Sequence, residues 1–60
     1  MNYLIIPDQI KAEPKFFDSV NDAYDAAEKW SNELISSKVH IYEKYETPQD
    51  EIAFRHLTFV

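Results

Sequence analysis

The sixty residues of this chain include no glycine, where ordinary usage of about 7% would supply roughly four. That absence constrains the fold more than any residue that is present. Tight two-residue hairpins and left-handed helix stops lean on glycine, because no Cβ opposes a positive φ there. Chain reversals must instead use proline and aspartate chemistry, which three stretches offer: "IPDQ" at 6–9, "AEPK" at 12–15 and "TPQD" at 47–50. The same absence excludes the glycine-rich phosphate cradles, both the dinucleotide fingerprint and the P-loop.

Between these reversals the apolar pattern sets the elements. "NYLIIP" is a short apolar run with two β-branched residues, stopped by Pro7, and predicts a strand over 2–6. Tyr3 and Ile5 point to one side, Leu4 and Ile6 to the other. "DQIKAEPK" is a polar connection. Ile10 and the pair Phe16–Phe17 are expected to tuck against the core, with room for a short extra strand within 12–17.

The helix is the strongest pattern. Ser19 is placed to cap it, with Asp22 three residues on as a short-armed capping box. Val20, Ala23, Ala27, Trp30 and Leu34, flanked by Tyr24 and Ile35, cover an arc of roughly 140°, the width of a core-facing stripe. The expected helix is 20–35, stopped without glycine at "SSK". "KVHIYEKYE" and the closing "EIAFRHLTFV" then predict strands over 38–46 and 51–60, joined by a turn of three to five residues at Pro48. The expectation is one domain over 1–60, of α+β class. It has a three-stranded, antiparallel-rich sheet in β-α-β-β order, with one amphipathic helix on one face.

The closing stretch does not keep one rhythm. Ile52 and Phe54 alternate in one phase, Leu57 and Phe59 in the other. Two solutions follow. In one, a β-bulge near Arg55–His56 resets the phase, so that Ile52, Phe54, Leu57 and Phe59 join Val39, Ile41 and Tyr45 under the helix. In the other, no bulge exists. Ile52, Phe54 and Val60 then lie on one face, and Ala53, Leu57 and Phe59 on the other. One helix covers one sheet face, so the second solution leaves a large apolar surface open, of the kind that marks an interface. The two-sided strand at 2–6 favours it.

Composition bounds the function. Sixty residues without cysteine have neither a disulfide nor a cysteine–zinc site to reinforce a thin core. No apolar run approaches the roughly 20 residues of a membrane span, and "MNYLIIPDQ" has no basic segment of a signal peptide, so a cytoplasmic protein is expected. The net charge is −5. Asp18, Asp22, Asp25, Glu28 and Glu33 crowd one stretch, opposed only by Lys29, and such a surface repels nucleic-acid phosphates and anionic membranes.

Catalytic equipment is thin. A Ser/His/Asp set can be drawn, but no nucleophile elbow surrounds any serine. His40 and His56, on the two hairpin strands, lie almost opposite each other for a three-residue turn. With Glu43 nearby they make a zinc-type donor set, yet no third histidine completes it. Tyr42 and Arg55 are expected to face each other in a cation–π contact. Aromatic rings on a small sheet also suit single-stranded RNA, but the basic, glycine-containing strand motif of such platforms is missing. No enzyme, cofactor or metal is expected, and no direct binding of nucleic acid or membrane.

Two readings remain. The first is a small acidic inhibitor or adaptor of a larger protein with a basic surface. In size and charge alone it is similar to phage-encoded inhibitors of host enzymes or defence systems, which would place it in the host cytoplasm. Asp22, Asp25, Glu28 and Glu33 would then imitate the charge of a nucleic acid. The second is a homodimer or other homo-oligomer whose uncovered sheet face is buried between copies. The candidate interface residues on the sheet are Leu4, Ile6, Tyr42, Phe54, Arg55 and Leu57.

Overall fold

A computed structural model of the chain describes residues 2–8, 11–34 and 38–60. Five elements follow in order: β1 (Tyr3–Pro7), β2 (Lys15–Phe17), α1 (Val20–Glu33), β3 (Val39–Glu46) and β4 (Ile52–Phe59). The strands form one antiparallel sheet in the order β2-β1-β3-β4, and α1 packs on one face across β1, β2 and β3. The α+β class is as expected. The strand count is four rather than three, because the short extra strand forms at Lys15–Phe17. The expected burial of Ile10, the last helical residue Ile35 and the stop at Ser36–Ser37 lie outside the described residues.

The helix begins where its cap requires. Ser19 is extended, and its Oγ accepts a hydrogen bond from the Asp22 amide at 3.2 Å. Ala23 and Ala27, one turn apart, are fully buried. Their small side chains bring the helix close to the sheet, where Ile5, Val39 and Ile41 complete the core. Tyr3, Phe17, Trp30, Leu34 and Val60 pack around it. The Lys15 ammonium lies 4.2 Å from the centroid of the Trp30 ring and covers the rim of that core. After Glu33 the chain turns extended at Leu34, whose amide still donates to the Trp30 carbonyl at 2.9 Å.

The β3–β4 turn shows what replaces glycine. The Thr47 carbonyl accepts from the Asp50 amide at 3.0 Å, with Pro48 as the second residue of the turn. Thr47 Oγ1 accepts from the Glu51 amide at 3.2 Å, and the Thr47 amide donates to the Glu51 carbonyl at 2.9 Å. Asp50 sits at φ 59°, the left-handed position that a short hairpin needs after such a turn. Aspartate tolerates that region better than most residues with a Cβ.

Register settles the phase puzzle differently from either expectation. Tyr45 pairs with Ala53, Glu43 with Arg55 and Tyr42 with His56, but Ile41 pairs with Thr58. Leu57 is therefore the inserted residue of a β-bulge, one position beyond the expected site. The phase resets as in the first solution, but Ile52, Phe54 and Phe59 do not join Val39 and Ile41 under the helix. They pair with Glu46, Lys44 and His40, and so share a face with Tyr42 on the far side. Strand β1 continues that face, since Leu4 pairs with both Tyr42 and Phe16, and Ile6 with His40.

Candidate functional site

The far face of the sheet is the most distinctive surface of the molecule. It carries Leu4, Ile6, Phe16, Tyr42, Phe54 and Phe59, with His40 and His56 in its middle, and no helix covers it. Phe16, Phe54 and Phe59 are 46%, 40% and 47% exposed, far above the usual burial of phenylalanine. Leu57, at the bulge, and Ile52, at the turn end of β4, are exposed as well. Within β4 only Ala53 and Thr58 are even partly buried.

The total area reflects this. A folded monomer of 7.1 kDa should expose about 4100 Å², and this chain exposes 4461 Å². The molecule measures 39 × 22 × 17 Å, elongated along a hairpin whose outer strand has no second layer.

The two histidines come together, but on a diagonal and not opposite each other as a three-residue turn would place them, since His40 pairs with Phe59 and His56 with Tyr42. His40 Nδ1 and His56 Nε2 are 2.9 Å apart, in a direct ring-to-ring hydrogen bond. Asp8 Oδ1 lies 3.8 Å from the other nitrogen of His40. Tyr42 meets His56 edge-on at 5.2 Å between centroids, and Phe59 is tilted against His40 at 5.9 Å. These rings hold the imidazoles in place. Glu43, expected beside the pair, is on the opposite face.

Arg55 also departs from expectation. It hydrogen-bonds the Glu43 carboxylate, which raises its pKa above the ordinary guanidinium value, and its guanidinium lies 5.4 Å from the Tyr45 centroid. Arg55, Glu43, Tyr45 and Ala53 share the helix side of the sheet, beyond the reach of α1. The contact expected between Tyr42 and Arg55 therefore does not form, and Arg55 is no part of the surface that holds Tyr42. Leu4, Ile6, Tyr42 and Phe54 do lie together. Phe17 packs against the core as expected, but Phe16, expected there with it, is on the open face, and Phe59 is absent from the expected interface; their phase depends on β2 and on the bulge at Leu57.

The acidic residues form a separate surface. Asp22, Asp25 and Glu28 line a shallow trough along the flank of α1 that borders β2, with Phe17 and Lys29, and Glu33 is exposed further along the helix. Open face and acidic face thus lie on opposite sides of the sheet. Among the described residues no group of three histidine, cysteine, aspartate or glutamate side chains is placed to hold a metal ion together, and no helix is long and apolar enough to cross a membrane. Comparison with protein-family models, with curated proteins and with solved structures returns no match.

Proposed function

We propose that this chain is a non-catalytic protein-binding module that pairs with a second copy through its open sheet face and presents its acidic helices outward to a basic partner protein. The carrying observation is the uncovered face of Leu4, Ile6, Phe16, Tyr42, Phe54 and Phe59.

Two features support a second copy as the occupant. The face carries one charge of either sign at each end, Lys44 and Glu46 at the turn end and Asp8 and Lys38 beside His40 and Phe59 at the other, so two such faces can meet without setting like charges against each other. The acids lie behind the sheet. In a face-to-face pair with sheets about 10 Å apart, the two acidic helix surfaces would be roughly 40 Å apart, several Debye lengths at physiological salt. The net charge of −5 therefore does not oppose pairing. A pair of this kind also gives a thin core the second layer it lacks.

The outward helices carry the adaptor or inhibitor role. Asp22, Asp25 and Glu28, opposed by Lys29 alone, suit a basic protein surface, whose attraction weakens as salt rises. Pairing through the sheet is apolar and responds little to salt. The test is an isotope-filtered NOE experiment on a mixture of labelled and unlabelled chains. Contacts between the rings of Tyr42, Phe54 or Phe59 in one copy and side chains of the same face in the other are expected. Intermolecular contacts confined to α1, or none at millimolar concentration, would contradict the proposal.

A further inference from the structure

We infer that His40 and His56 form a binding site for one divalent late transition-metal ion, of the zinc or copper class, with Asp8 as the orienting carboxylate. Both ligands come from one chain, so the site is complete in a single copy, and it lies on the open face, where pairing of copies would enclose it.

The geometry is that of two ligands already converged. Two imidazole nitrogens bound to one tetrahedral zinc at about 2.0–2.1 Å lie roughly 3.4 Å from each other. His40 Nδ1 and His56 Nε2 are 2.9 Å apart, so the pair needs to open by only about half an ångström to admit the ion. Without metal, one of the two nitrogens must carry the hydrogen that joins them. The metal takes the place of that hydrogen, which moves to the other nitrogen of the ring that carried it, so that both lone pairs face the ion and each ring carries its one proton on the remaining nitrogen.

The surroundings are those of a prepared site rather than of two loose side chains. Asp8 Oδ1, 3.8 Å from His40 Nε2, faces the nitrogen that the metal would leave protonated. At that distance the carboxylate is short of a hydrogen bond, and a shift of about 1 Å or less toward the ring would complete the carboxylate–histidine–metal arrangement, which fixes the tautomer and raises ligand basicity. Tyr42 and Phe59 wall the two rings from either side. The histidines sit on paired strands, and the bulge at Leu57 between them increases the local twist. Both donors are neutral nitrogens, which suit zinc, copper or nickel and not magnesium or calcium. Two protein ligands leave the remaining coordination positions open to water or to a group from another molecule.

Titration of the intact chain with Zn²⁺, followed by calorimetry and by ¹⁵N spectra of the histidine rings, tests the inference. Saturable binding of one ion per histidine pair is expected, with metallation at His40 Nδ1 and His56 Nε2 and retained protons at His40 Nε2 and His56 Nδ1. His40→Gln and His56→Gln should each abolish saturable binding, and Asp8→Asn should weaken it about tenfold or more. Absence of saturable binding, or equal binding in both histidine variants, would overturn the inference. The ring spectra are recorded on the unaltered protein, so metallation elsewhere, or none, is decisive even where a variant fails to fold.

Discussion

The two faces of the sheet are built from similar residues and used differently. Beneath α1, Ile5, Val39 and Ile41 are fully buried against Ala23 and Ala27. One residue away along the same strands, Leu4, Ile6, His40 and Tyr42 point the other way, onto the face of Phe16, Phe54 and Phe59, which no helix or strand among the described residues covers. The contrast teaches that hydrophobicity alone does not tell core from surface in a chain this small. A single 14-residue helix fixes which face becomes the core, and the large apolar residues of the other face stay outside it.

If that contrast is right, substitutions on the two faces should separate stability from association. The largest stability effects belong to the covered side. Ile41→Ala and Trp30→Ala should each cost about 3 kcal/mol or more, through lost burial and the cavity left behind. That is a large part of the roughly 5 kcal/mol at the low end for a small domain, so urea denaturation should show partial or complete unfolding. On the open side, Phe54→Asp should leave the stability of the single chain nearly unchanged but abolish pairing, read as a lower sedimentation coefficient.

Smaller effects sharpen the local account. Asp50→Val should cost about 1–2 kcal/mol in thermal or urea denaturation, because a β-branched side chain fits poorly at φ 59°. Ser19→Ala removes the helix cap and should cost about 1 kcal/mol by the same measurement. Least of all, reversing Asp22, Asp25 and Glu28 to lysine should leave the self-associated mass unchanged and remove only binding to a basic partner, measured by titration at low salt.

Much of this arrangement was legible in the sequence. The cap at Ser19, the stripe Ala23–Ala27–Trp30 and the turn at Pro48 depend on local chemistry, and each lies where local rules put it, while the helix ends at Glu33 and Leu34, expected inside it, is already extended. Leu4, Ile6, Tyr42 and Phe54 fall on one surface because strand alternation is simple in β1 and in the first half of the hairpin. What failed depends on pairing. A bulge is a fact about two strands, and the sequence of one strand does not say which residue its partner skips. Leu57 is skipped, and this moves Phe59 onto the open face and leaves Arg55 with Glu43 on the other. The partner of the histidines was also misread, since Asp8 reaches His40 from the end of β1, over thirty residues away in sequence.

The most direct test of the central claim is the absolute mass in solution, by light scattering after size exclusion, at low and at high salt. The account predicts twice the 7.1 kDa chain mass at both, since the paired faces are apolar and the acidic helices are far apart. A clean monomer at high protein concentration, or a dimer that dissolves as salt rises, would contradict it.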